Sequence, residues 1–120
     1  WSDLNLKDGW WIIPKEKSKN NLPHRVPLSS LALKILKEAK KLSKGSPFLF
    51  PSPTKEKSHI TEPAIDRAIR NNRELFDIDH FVPHDLRRTV ASQITAMSFP
   101  RLTVSKILNH VESGVTAVYD

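Results

Sequence analysis

The first third of the chain contains two short apolar runs separated by a polar stretch. Residues 10–13 form a β-prone run of tryptophan and isoleucine. Residues 24–28 return to an extended pattern, because Pro27 disfavours the helical conformation at the residue before it. The polar residues 15–21 between the two runs are rich in turn formers. The pattern therefore predicts a β-hairpin with Lys19 near its tip.

From residue 28 onward, apolar positions recur at the three- and four-residue spacing of helices. A serine cap and Gly45 bound the first helical segment, and Thr61, Pro83 and Pro100 stand at the starts of the other three. The positions expected to face inward are Leu28, Leu31, Ile35, Leu36, Ala39, Leu42, Ile65, Ala68, Ile69, Leu86, Val90, Ile94, Val104, Ile107 and Leu108. The lysines of the first helix are predicted to form a solvated face. The predicted fold class is α+β and mainly α-helical, with a small antiparallel sheet packed on a helical bundle.

Composition narrows the possible classes of protein. A chain of 120 residues with 38% hydrophobic and 27% charged residues is typical of one globular domain or part of one. The 19 Lys and Arg against 13 Asp and Glu give a net charge of +6, which favours a polyanionic partner. The chain has no cysteine, which excludes disulfides, thiolate metal sites and cysteine nucleophiles. No apolar run approaches the ~18 residues that span a membrane.

His84 and Arg87 are the first candidates for chemistry. Residues three apart lie on one helix face, so both side chains can address the same phosphate. Both follow Pro83 within the first turns of a helix, where unpaired N–H groups and the helix dipole also attract an anion. On its own, this spacing is more often a surface ion pair beside a capping histidine. The order of the motifs around the pair is what favours a functional interpretation of His84 and Arg87.

Four signals follow one another along the chain: Lys19 before Val26-Pro27-Leu28-Ser29, the segment His84-Asp85-Leu86-Arg87-Arg88-Thr89, then Leu108-Asn109-His110, and Tyr119, the only tyrosine. The second resembles the H-x-L-R-[RH]-T box of the tyrosine recombinases, or phage integrases. The third resembles their L-G-H box, with Asn109 where glycine is usual, and Tyr119 stands nine residues beyond the histidine, as the nucleophile does. The resemblance covers essentially all 120 residues and is strongest to integrases of prophages and genomic islands.

The resemblance implies a role for each of five side chains in breaking a phosphodiester. Tyr119 would attack phosphorus and form a 3′-phosphotyrosine. His84 would act as general base, and Lys19 would protonate the leaving 5′ oxygen as general acid. Arg87 and His110 would stabilise the non-bridging oxygens. The bond energy stays in the phosphotyrosine, so the resemblance implies neither a cofactor nor a metal.

The resemblance also implies partners and a location. We expect double-stranded DNA as the substrate, with Arg88 and Arg25 as further DNA contacts, and a recombinase tetramer assembled on that DNA. A cytoplasmic, nucleoid-associated bacterial protein without a membrane segment is expected. The segment alone is expected to be monomeric.

Residues 1–120 are expected to form one domain, a piece of an integrase catalytic domain cut at both ends. Trp1-Ser2-Asp3-Leu4 resembles the end of the motif that carries the family's first catalytic arginine, so that arginine is expected just before residue 1. We expect the family's N-terminal core-binding domain to lie outside this stretch. We therefore expect the full-length protein to be an enzyme and this segment alone to be inactive.

Several alternatives stay open from the sequence. The chain could be a non-catalytic DNA-binding remnant of an integrase, or a related phosphotyrosine enzyme such as a type IB topoisomerase. Lys15 and Lys17 lie beside Lys19 in the same polar stretch. His110 could be a helix C-cap, and Tyr119 could lie in a frayed end.

Overall fold

A computed structural model describes residues 1–110. These residues belong to two compact units, residues 1–62 and the part from Pro63 onward. The first unit combines a three-stranded antiparallel sheet with one helix, and the second is helical. The predicted α+β, mainly helical class is therefore confirmed. The expectation of a single domain stays a prediction.

The sheet of the first unit has the order β1-β2-β3. Its strands are β1 (Leu4–Asn5), β2 (Trp10–Ile13) and β3 (His24–Pro27). Strands β2 and β3 pair antiparallel, as the predicted hairpin requires, and the register places Trp11 opposite Val26. The β2–β3 connection begins with a 3₁₀ turn, Lys15–Lys17, and Lys19 follows in a turn. The hairpin, with Lys19 in its connection, is confirmed.

Helix α1 (Ser30–Leu42) follows the sheet and begins at a capped end. The Ser29 hydroxyl accepts a hydrogen bond from the Ala32 N–H at 3.1 Å, which satisfies one of the free N–H groups of the first turn. Gly45 lies just beyond the C-terminus with a φ of +80°, a left-handed conformation that glycine adopts without cost. The predicted boundaries of this helix therefore hold at both ends.

The second unit contains three helices in its described part. They are α2 (Pro63–Asn71), α3 (Pro83–Ala96) and α4 (Arg101–Ile107). Helix α3 packs against α4, and Val104 of α4 is buried. No helix among residues 1–110 is long and apolar enough to cross a membrane.

The predicted burial of several apolar positions is wrong. Leu86 and Val90 of α3 are 58% and 47% exposed, and Leu31 and Leu42 of α1 are 64% and 79% exposed. Ile35, Ile65 and Ile107 are exposed as well, and Ala68 is also on the surface. The reason is geometric: a helix buries only the face that a neighbour covers, and the seven residues of α4 cover little of α3. Periodicity therefore predicts which face of a helix is apolar, but it does not predict whether another element packs over that face.

Candidate active site

The N-terminus of α3 is built by a proline at the first helical position and an aspartate at the third. Pro83 occupies the first helical position, where its missing N–H is no loss. The Asp85 carboxylate accepts a hydrogen bond from the Val82 N–H at 3.0 Å, which secures the entry into the helix. His84 and Arg87 follow on one face, and both side chains are exposed. The predicted placement of the pair on a helix near its start is confirmed.

Arg88 and Thr89 of the same motif turn toward Asp85. The Arg88 guanidinium donates to the Asp85 carboxylate at 3.2 Å, and the Thr89 hydroxyl donates to the Asp85 carbonyl at 2.9 Å. The Arg88 pair is exposed and adds little stability by itself. Adjacent helical residues point in different directions. Arg88 is therefore held on its own helix, whereas Arg87 reaches a different partner.

That partner is the carbonyl oxygen of Leu108, to which the Arg87 guanidinium donates. Leu108 is the C-cap residue of α4, directly after its last helical residue, Ile107. The last carbonyls of a helix lack partners within it and carry partial negative charge, so a cationic donor suits this place. The contact joins the motif of α3 to Leu108-Asn109-His110. Sequence reasoning missed it, because a backbone carbonyl has no signature in the residue types.

Leu108-Asn109-His110 ends α4 with two backbone hydrogen bonds. The Asn109 N–H donates to the Lys106 carbonyl at 3.1 Å, and the His110 N–H donates to the Ser105 carbonyl at 3.0 Å. Asn109 has a φ of +53°, in the left-handed region. This arrangement is a Schellman motif, in which glycine, or less often asparagine, takes the left-handed position. It explains why asparagine serves at the place where the family usually has glycine.

The remaining candidates lie elsewhere. Lys19 is exposed in a turn of the first unit. Arg25 of β3 stacks over the Trp10 ring, with 4.3 Å between the guanidinium carbon and the ring centroid. Tyr119 lies outside the described residues 1–110. The described contacts therefore join Arg87 to the segment that leads into His110, on the helix that also carries His84. Among residues 1–110, no group of histidine, aspartate and glutamate is arranged to hold a metal.

Asp85→Ala is expected to lower the free energy of unfolding of the full-length protein by about 1 kcal/mol, the usual net contribution of one hydrogen bond. The reason is that the Val82 N–H loses its acceptor and the first turn loses a negative charge that the helix dipole favours. Urea unfolding measures the change. Asp85→Asn keeps an acceptor oxygen and should recover about half of it. Equal losses in the two variants would show that the hydrogen bond is not the cause.

Comparison with known proteins identifies a family and two relatives that the chain resembles. A profile of the Phage integrase family matches residues 1–120. The prophage integrase IntA of Escherichia coli (strain K12) is 31% identical over 114 residues, which are 95% of this chain and 27% of that protein. The tyrosine recombinase XerC of Xanthomonas axonopodis pv. citri (strain 306) is 29% identical over 122 residues, which are 99% of this chain and 38% of that protein.

The chain thus spans well under half the length of these two relatives. No solved structure matches it significantly. The motif order read from the sequence and the profile match over the whole chain agree. This chain belongs to the phage integrase family.

Proposed function

We propose that the full-length protein is a tyrosine-type site-specific recombinase that cuts and rejoins double-stranded DNA. The observation that carries the proposal is the contact from Arg87 to the Leu108 carbonyl. It places a guanidinium, whose other N–H groups are suited to phosphate, beside the segment that carries His110. The family membership and the similarity to proteins named as an integrase and a recombinase support the same reaction class.

The proposed reaction is a transesterification at phosphorus. The Tyr119 hydroxyl gives its proton to His84, and its oxygen forms a bond to phosphorus while the bond to the 5′ oxygen breaks. Lys19 supplies the proton that the leaving 5′ oxygen needs. Arg87 and His110 stabilise the negative charge on the non-bridging oxygens. Attack by another 5′ hydroxyl on the phosphotyrosine reverses these steps and rejoins the strand. The phosphotyrosine conserves the energy of the broken bond, so the proposed reaction requires neither ATP nor a metal.

The distribution of charge favours DNA as the partner. Residues 1–62 carry 12 Lys and Arg against 6 Asp and Glu, whereas the part from Pro63 onward carries seven of each. The whole excess of positive charge therefore belongs to the unit that contains Lys19 and Arg25. Phosphate contacts of such a unit contribute affinity that does not depend on base sequence. The part from Pro63 onward, which has no net charge and contains His84 and Arg87, would contribute to catalysis more than to the electrostatic attraction of DNA.

Capture of the covalent intermediate tests the proposed function. The full-length protein would be incubated with a duplex nicked close to the cleavage site, so that a short 5′-hydroxyl fragment diffuses away and religation fails. We expect a protease-sensitive protein–DNA adduct attached through the 3′ phosphate. Strand cleavage without an adduct, or DNA binding with no cleavage at any family-type site, would overturn the proposal. Relaxation of supercoiled DNA without any exchange between sites would instead identify a topoisomerase.

Arg25→Gln and Arg88→Gln are each expected to weaken binding to DNA of any sequence. Each lost phosphate contact should reduce the slope of log affinity against log salt by about one. Fluorescence anisotropy of the full-length protein across a salt series measures the slope. Lys41→Gln is the matched control, because Lys41 lies on the predicted solvated face of α1 and pairs with Glu38 at 2.9 Å. Equal slopes in all four proteins would remove both arginines from the DNA contacts.

A further inference from the structure

We propose that Asn109 is a positioning residue, whose left-handed backbone conformation holds His110 and the Leu108 carbonyl in place for Arg87. The inference rests on the proposed function and adds a residue to which the resemblance assigns no role. Asn109 lies between Leu108, whose carbonyl contacts Arg87, and His110, a candidate catalytic residue.

The contacts around Asn109 fix the backbone on both sides. The N–H groups of Asn109 and His110 donate to the carbonyls of Lys106 and Ser105, so both peptide units are tied to the last turn of α4. The Leu108 carbonyl accepts from the Arg87 guanidinium. A single left-handed residue, with φ of +53°, reverses the chain between these bonds. If Asn109 left that conformation, the bonds on both sides could not be kept together.

The choice of residue follows from this conformation. Glycine enters the left-handed region freely, and asparagine enters it more readily than other residues with a side chain. A β-branched residue such as valine is a strong outlier there. Asparagine keeps the turn with fewer alternative backbone states than glycine has, because its Cβ restricts the unfolded chain. The left-handed backbone conformation therefore admits glycine and asparagine at this position and disfavours valine.

The C-terminus of α3 supplies a matched control for the C-terminus of α4. Ser98, just after α3, also has a left-handed φ, of +63°. Its N–H donates to the Thr95 carbonyl at 2.9 Å, and the next N–H, of Phe99, donates to the Ile94 carbonyl at 3.4 Å. The backbone motif is the same as at Asn109, but no candidate catalytic residue adjoins it. Valine at either position should cost similar stability.

The experiment compares Asn109→Val, Asn109→Gly and Ser98→Val in the full-length protein. Three quantities are measured for each: the melting temperature, the Kd for a DNA duplex carrying the cleavage site, and the single-turnover rate of adduct formation at saturating DNA. Both valine variants should melt at similarly lowered temperatures and bind DNA within about threefold of wild type. Asn109→Val should form the adduct at least about 30-fold more slowly, because displacement of a reacting group by about 1 Å costs up to about 100-fold. Asn109→Gly should retain most of the rate.

The outcomes separate this inference from the proposed function. A wild-type protein that forms no adduct defeats the proposed function itself. If wild type forms the adduct and both valine variants slow it equally, Asn109 has only a structural role and the inference fails. It fails also if Asn109→Gly is as slow as Asn109→Val, since glycine keeps the backbone conformation. Should Asn109→Val prove unfolded, Asn109→Ala, which is strained less, replaces it under the same criteria.

Discussion

Replacing Tyr119 by phenylalanine in the full-length protein is expected to abolish strand cleavage and to leave DNA binding unchanged. The substitution removes only the phenolic oxygen, which would form the bond to phosphorus, and it keeps the ring. Residues 1–120 contain no other tyrosine and no cysteine that could replace the nucleophile. We expect adduct formation on a nicked duplex to fall by at least about 10⁴-fold, as is usual when a nucleophile is removed. The Kd for the same duplex should stay within about twofold.

Thr116→Val is the matched control, since it removes another hydroxyl three residues earlier in the sequence. It should form the adduct at a rate close to wild type. An adduct formed by Tyr119→Phe at the wild-type rate would show that another group attacks the phosphate, and the proposed mechanism would be wrong. Mass spectrometry of the proteolysed wild-type adduct identifies the attached residue independently.

Arg87→Ala is expected to slow cleavage by about a thousandfold or more, the second-largest effect predicted for this chain. A preorganised cationic donor that faces growing negative charge contributes on this scale. Arg87→Lys keeps the charge but loses the planar guanidinium, which is suited to donating to the Leu108 carbonyl and to a phosphate at the same time, so it should recover only part of the rate. Single-turnover cleavage at saturating DNA measures both variants.

Arg70→Ala provides the control for Arg87. Arg70 is an exposed arginine of α2 in the same unit, and its guanidinium donates to Asp66 at 2.6 Å. Its removal lowers the net charge by the same amount, so a general electrostatic effect would appear in both variants. We expect the Arg70 variant to cleave within about threefold of wild type at saturating DNA. Equal slowing by the two alanine variants would remove Arg87 from the reaction centre.

Local features of the fold were predictable because they are decided by neighbouring residues. Pro83 fixes the start of α3, Pro27 keeps its predecessor extended, and Ser29 caps α1. Burial was not predictable in the same way. Leu86 and Val90 lie at helical spacing, yet they are exposed, because burial depends on which distant element covers a face. Periodicity therefore predicted the positions of the helices correctly, but it predicted the burial of their apolar residues poorly.

In the candidate site, too, some features could be predicted from the sequence and others only from the fold. The order of motifs pointed to His84, Arg87 and His110, and the structure joins the motif of α3 to the backbone that leads into His110. The roles of these residues, and those of Lys19 and Tyr119, remain predictions. The Leu108 carbonyl was invisible in the sequence, since every residue has a carbonyl and only the end of a helix leaves one unpaired. The left-handed position was visible only indirectly, through an asparagine where the family usually has glycine.

The bond between Arg87 and Leu108 has a consequence for insertions and deletions. Its two ends are 21 residues apart, and α4 is the last rigid segment between them. One residue added within α4 would turn everything after it by about 100° and advance it by about 1.5 Å along the axis. The Leu108 carbonyl would then face away from the guanidinium, whichever residue had been added. Related proteins that keep this bond should therefore vary more freely in the identity of the α4 residues than in their number.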